Sequence, residues 1–140
     1  MPLSGFASIC EEHQKTIVSR DLGQPTKHIA NNVKQCHVTH YRIDGIVITD
    51  RAACDFLLIN EDTYTAYLIE LKGRDLVRSV EQLESTEATL KDKLRAYSLE
   101  FRIVASKART HAIESVTFKR FKEKKKQSLI YKTNQIEEKI

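Results

Sequence analysis

Residues near the start of the chain that can face a core, Phe6, Ile9, Cys10, His13 and Ile17, recur at intervals of three and four. That period predicts an amphipathic helix over residues 4–20, with Ser4 as its cap and Gly23 and Pro25 ending it. The pattern then changes. Residues 27–32 read as loop. Residues 35–43 and 46–49 are rich in β-formers and flank Asp44-Gly45, a strong turn pair, so a hairpin or a bent strand is expected.

The clearest pattern lies at residues 55–59 and 64–71, two β-rich runs joined by the polar Asn60-Glu61-Asp62. They predict an antiparallel hairpin. A turn centred near Asp62 and Thr63 sets Asp55 opposite Glu70, with β-carbons roughly 4.5–5.5 Å apart on one face. Strand period two puts Lys72 on that face as well. Three ionisable groups thus converge at one end of an otherwise apolar hairpin. Burying charge there is unfavourable unless the charges pair or bind a metal.

After Gly73, a stripe of Leu76, Val80, Leu83, Leu90, Leu94 and Tyr97 predicts a long helix over residues 75–97. Residues 101–105 suit a buried strand, residues 110–116 are ambiguous, residues 118–127 are basic, and residues 128–131 again read as strand. The expected fold is therefore α/β: one domain over residues 1–140, with a small mixed sheet and a central antiparallel hairpin. An N-terminal helix and the long helix after Lys72 flank it.

Composition narrows the class. A 140-residue chain with 41% hydrophobic and 30% charged residues has the make-up of a globular domain, not of a disordered or collagen-like chain. No apolar run approaches the roughly 18 residues that suggest a bilayer span. No secretory signal is visible, so a cytoplasmic address is expected. Three cysteines without motif spacing suit a reducing compartment. The net charge of +4 is unevenly spread. Residues 101–140 hold 11 Lys and Arg against 4 Asp and Glu, a net +7, which leaves −3 for residues 1–100. A polyanion would find a docking surface beside an acidic pocket.

The order of a strand with Asp55, a turn, a strand ending Ile69-Glu70-Leu71-Lys72 and an amphipathic helix resembles the core of the PD-(D/E)xK nuclease superfamily, the restriction-endonuclease-like fold. Here the motif stands as Cys54-Asp55, fourteen intervening residues, then Glu70-Leu71-Lys72. Cys54 occupies the place of the family's proline. Glu-x-Lys also occurs at Glu123-Lys124-Lys125 and at Glu137-Glu138-Lys139. Only the run at residues 70–72 ends an apolar strand, faces an aspartate and precedes a helix. The bland alternative is a Glu70 and Lys72 pair at a solvated strand end.

The resemblance implies that Asp55 and Glu70 ligate Mg2+ or Mn2+, aided by the backbone carbonyl of Leu71. Lys72 would position water and stabilise developing charge. Such chemistry suits these residue types, because hard divalent cations prefer carboxylate oxygens and offset the repulsion between two neighbouring acids. Gln82, on the helix beside Asp75 and Ser79, matches a place where relatives often carry a glutamine or glutamate, and it joins the catalytic set. Some relatives add a glutamate from an N-terminal helix. Glu11 or Glu12 would supply one here, although a surface charge is the simpler account. Asp44 would approach the site, although turn chemistry alone explains Asp44-Gly45.

The basic run Lys119, Arg120, Lys122, Lys124, Lys125 and Lys126 around Phe121 suits a phosphate backbone, or else forms a solvated loop. Cys36, His37 and His40 do not make a zinc site, since strand alternation turns His37 away from the other two. No Gly-rich phosphate loop, Gly-x-Ser-x-Gly elbow or dinucleotide fingerprint is present. The function expected is metal-dependent hydrolysis of nucleic acid, DNA favoured, without membrane contact and with a homodimer as a compatible assembly. A non-catalytic nucleic-acid-binding or protein-interaction domain on the same fold is the alternative.

Overall fold

The computed structural model describes residues 3–71, 75–106 and 115–140. In chain order the elements are β1 (Thr16–Arg20), β2 (Lys27–Asn31), β3 (Val38–Arg42), β4 (Phe56–Asn60), β5 (Thr65–Leu71), α1 (Leu76–Thr89), β6 (Ser98–Ala105), α2 (Val116–Lys125), β7 (Leu129–Thr133) and β8 (Gln135–Lys139). A single 3-10 turn, Lys126–Ser128, joins α2 to β7.

The central sheet runs β3-β4-β5-β6-β7. Its first three strands form an antiparallel meander, and β5, β6 and β7 are parallel to one another. Parallel neighbours need a crossover, and α1 and α2 supply the two required. The helices cover one face, where Leu76, Val80, Leu83, Phe118 and Phe121 pack on Leu57, Ile59, Ala66, Leu68 and Ile103. A second sheet, β1-β2-β8, covers the other face, setting Ile17, Ala30 and Ile136 against Phe56, Leu58, Tyr67 and Ile69. Both sides of β4 are thus buried, which is why Phe56-Leu57-Leu58-Ile59 is unbroken apolar sequence.

The hairpin forms in the register that the sequence suggests, with Phe56 opposite Ile69 and Leu57 opposite Leu68. The N-terminal helix does not form. Residues 16–20 are instead β1, paired antiparallel with β2, which occupies the segment expected to be loop. Ile17 and Ser19 alternate inward along β1 as His28 and Ala30 do along β2, while Ile9, part of the supposed helical face, is 60% exposed. Pairing with a neighbouring strand has overridden a three-and-four spacing too short to specify a helix. Residues 46–49 are not a strand either. The amides of Ile46, Val47 and Ile48 all turn back to the Ile43 carbonyl, and Gly45 takes the positive φ that this turn needs.

Helix α1 begins as expected, with the Asp75 side chain accepting from the Arg78 amide, but it ends at Thr89. Leu90 and Leu94 continue the apolar spacing through turns and stay in the core. The basic segment is helical, because Phe118 and Phe121 anchor α2 to the sheet. Most of residues 110–116 lies outside the described residues. No helix among the described residues is long and apolar enough to cross a membrane.

Candidate functional site

The hairpin register carries one step beyond Phe56 and Ile69 to Asp55 and Glu70. Both project on the helix-covered face, where they are 8% and 5% exposed. The Leu71 amide donates to Asp55 Oδ2 at 2.8 Å, which fixes that carboxylate across the strand pair. Glu70 Oε1 is buried and has no hydrogen-bond partner. Burial, then the charge of Asp55 and a hydrogen bond with its side chain, then the charge of Asp44 push the Glu70 carboxyl up to about 10, against a smaller opposing pull from the Asp55 backbone amide. Without a cation Glu70 therefore holds a proton at neutral pH.

These two acids open into a cleft of about 290 Å³ lined also by Asp44, Leu71, Asp75, Arg78, Ser79 and Gln82. Asp44 reaches it because the turn after β3 is tied to the motif strand, Ile43 N–H to Asp55 O at 2.9 Å and Asp44 N–H to Cys54 O at 3.1 Å. Helix α1 is bolted to the same segment. Gln82 Nε2 donates to Ala53 O at 3.2 Å, and Thr86 Oγ1 accepts from Cys54 N–H at 2.8 Å while donating to Gln82 O at 2.8 Å. Gln82 thus lines the cleft and also sets the position of the strand that presents Asp55.

Lys72 lies outside the described residues. Glu11 and Glu12 are exposed, and the Glu12 carbonyl accepts from Val38, which pairs with Asn60. Asn60 is five strand positions from Asp55, roughly 17 Å away. Without the expected helix, neither glutamate comes to the cleft. His40 bonds Ser19 at 2.9 Å and is pushed down to about 4 by burial and then by the charge of His28. Cys36 is buried, its amide bonded to Asn32. Among the described residues no three His, Cys, Asp or Glu side chains stand together as a metal cage.

Two carboxylates beside the Leu71 backbone, one oxygen buried and unpartnered, nevertheless match a hard divalent ion of the Mg2+ type. Such an ion takes one or two carboxylates and keeps several waters, so it needs no all-protein cage. The donors are all oxygen, and a cation would remove the repulsion that keeps Glu70 protonated.

The basic run occupies α2 and the turn after it. Lys119, Arg120, Lys122, Lys124 and Lys126 are exposed. Lys125 is not available to a ligand: its side chain is 10% exposed, pairs with Glu87 at 2.8 Å and sits 4.3 Å from the Phe101 ring centre. Lys124 lies 3.8 Å from Glu84. On α1, helical spacing sets Glu84 and Glu87 on the opposite flank of the buried stripe from Arg78, Ser79 and Gln82. The basic helix therefore stands across α1 from the cleft, about one helix diameter, ~10 Å, away.

Comparisons with protein-family models, with curated proteins and with solved structures each found no match. The one cleft residue that pattern reading passed over is Arg78, although it lies three positions after Asp75 and four before Gln82, a spacing that puts all three on one helix face.

Proposed function

We propose that the chain is a metal-dependent nuclease of the PD-(D/E)xK type, hydrolysing phosphodiester bonds of nucleic acid, DNA favoured. The observation that carries this reading is Glu70, a buried carboxyl with an orphaned oxygen, set beside Asp55 at the mouth of a solvent-open cleft. The antiparallel β4–β5 hairpin followed by α1 and the parallel strand β6 supports a restriction-endonuclease-like arrangement.

Asp55, Glu70 and the Leu71 carbonyl would hold Mg2+ or Mn2+, which when bound polarises a phosphoryl oxygen and lowers the pKa of water. The chain's residues do the rest. The Leu71 amide holds Asp55 in one orientation. Glu70 must release its proton to become a ligand, so loading improves as pH rises. Lys72 would orient the attacking water. That water gives up a proton to solvent as its oxygen bonds phosphorus, the bond to the leaving sugar oxygen breaks, and the leaving oxygen takes a proton from solvent. The cleft volume is at the lower end for ligand pockets and suits one phosphodiester with part of its sugar. The exposed cations of α2 would hold backbone phosphates outside the cleft without reading bases.

The test is a calorimetric Mn2+ titration together with incubation on linear, circular and single-stranded DNA and RNA with Mg2+, Mn2+ or chelator. Binding of the metal, and cleavage that chelator abolishes, is the expected result. Failure to bind either cation would leave a structural cluster and favour a protein-interaction domain. Metal binding with no cleavage of any substrate would overturn the hydrolytic role.

A further inference from the structure

We propose that Arg78 is a further catalytic residue of this site, its guanidinium gripping the non-bridging oxygens of the phosphodiester undergoing hydrolysis. The proposal rests on the nuclease reading above.

Arg78 is the only cationic side chain among the described residues that line the cleft. It is exposed, and its guanidinium makes no hydrogen bond or ion pair with a described residue, although Asp44 and Asp75 line the same space. That is unusual within this chain. Arg42, Arg51, Arg95 and Arg102 each pair with a carboxylate, and Arg20 donates to the Gln24 carbonyl. Of the described arginines only Arg78 and Arg120 lack such a partner, and Arg120 is on α2.

The backbone does not explain Arg78 either. It is the third residue of α1, in a first turn that contains no acid. A helix N-terminus disfavours a cation there and favours an anion. An arginine retained against that preference, with none of its five donors spent on a described residue, is suited to bidentate contact with an oxyanion. A second observation in the same cleft also points to a ligand: the orphaned oxygen of Glu70, which is 5% exposed.

Charge and size make the assignment specific. Asp44, Asp55, Glu70 and Asp75 surround the cleft, so an anionic substrate meets repulsion that a divalent ion offsets only in part. Arg78 supplies a further positive charge from the helix wall. Because a cleft of about 290 Å³ has room for one phosphodiester, the phosphate that Arg78 meets is the one facing Asp55 and Glu70. As water adds to phosphorus, negative charge grows on the non-bridging oxygens. A guanidinium already in place stabilises it without transferring a proton, since arginine stays charged throughout.

The experiment compares wild type with Arg78→Ala and Arg78→Lys by steady-state cleavage, by Mn2+ calorimetry without nucleic acid, and by rescue with free guanidinium at low millimolar concentration. Arg78→Ala should keep Mn2+ affinity within about twofold and lose kcat by about 10²-fold, as expected for removal of one preorganised donor, with KM changed far less. Guanidinium should restore at least a tenth of the lost rate, and Arg78→Lys should fall between the two. Wild-type kcat in Arg78→Ala, loss of Mn2+ affinity along with rate, or absence of rescue would each overturn the proposal. If the wild type binds Mn2+ but cuts nothing, the hydrolytic reading falls on its own account. Arg78 is then judged by short-oligonucleotide binding in Mn2+, where equal affinity of wild type and Arg78→Ala overturns its phosphate contact.

Discussion

Glu70 and Glu138 lie on opposite faces of the central sheet, both in charged clusters and both largely removed from solvent. Glu138, reaching in from β8, is saturated with donors. Its Oε2 accepts from Arg102 Nε and from His28 Nε2, each at 2.7 Å, and its Oε1 accepts from Arg102 Nη2 at 2.9 Å. Arg102 also donates to the carbonyls of Phe101 and Ser128, and its guanidinium lies 5.4 Å from the Tyr67 ring centre. Burial alone would raise the Glu138 carboxyl, but the hydrogen bonds from His28 and Arg102 outweigh it and hold the group at about 2. Glu70 has acids for neighbours and an orphaned oxygen, and it is driven the other way. Local packing therefore meets the needs of one glutamate and leaves the other incomplete. Under the proposed reading, a metal ion would supply to Glu70 the positive charge that Arg102 supplies to Glu138.

The largest expected effect comes from removing the charge at the incomplete cluster. Asp55→Asn and Glu70→Gln should each reduce cleavage by at least about 10³-fold. Glu70→Gln should nevertheless unfold no earlier than wild type in a thermal scan without metal, because it removes a carboxyl that has one orphaned oxygen and whose charge burial and neighbouring acids oppose. An unfolding midpoint well below wild type would mean that the bonds between Glu70 and Asp55 outweigh the orphaned oxygen.

Breaking the complete cluster should do the reverse. Arg102→Ala strands Glu138 and His28 and should lower stability in urea by about 3–5 kcal/mol. Mn2+ affinity per folded molecule should be unchanged. If the variant unfolds too readily to titrate, Glu138→Gln offers a milder break with the same expected separation of stability from metal binding.

The two glutamates also predict opposite pH limbs. Glu70 has a folded pKa above its ordinary 4.5, so the folded state keeps a proton that the unfolded state loses. Metal-free stability from this group is complete below pH 4.5 and declines toward pH 10, by about 1.4 kcal/mol per unit at most. Glu138 has a folded pKa below 4.5, so its contribution is present above pH 4.5 and is lost as pH falls toward 2. Chemical denaturation across pH 3–9 should show both limbs. Glu70→Gln should flatten only the alkaline one, and saturating Mn2+ should flatten it in wild type.

The smallest effect belongs to α2. Replacing Lys119, Lys122 and Lys126 by Gln should reduce the slope of log affinity against log salt by about 0.9 per lost duplex contact, up to roughly 2.7. Cleavage at saturating substrate should persist. Lys125→Gln should leave that slope unchanged and instead lower stability by about 1 kcal/mol, because its ammonium serves Glu87 and the Phe101 ring.

The hairpin was legible because its signals are local. Period-two apolarity, a polar turn and a fixed turn centre together set Asp55 opposite Glu70, and Asp75 marked the start of α1. The second sheet was not legible. In β8 only Ile136 is fully buried, and its neighbours are polar residues whose role depends on β2, more than a hundred positions earlier. The first helical expectation failed for the same reason, since the pairing of β1 with β2 is invisible to a count of spacings within residues 4–20. Asp44 could be read both as a turn residue and as a residue approaching the site, and the cleft places it beside Glu70. Arg78 needed the cleft to be seen.

The parallel pairing of β2 with β8 bears on how the chain is made. His28 is registered with Ile136, so β2 waits for a partner synthesised about a hundred residues later, a contact of very high sequence separation. Until then the face of the central sheet carrying Phe56, Leu58, Tyr67 and Ile69 lacks its full cover. Its uncovered apolar surface is open to the intermolecular association that threatens partly folded chains. Pairing of β8 with β2, beside which Glu138 bonds His28 and Arg102, completes the cover of that apolar face.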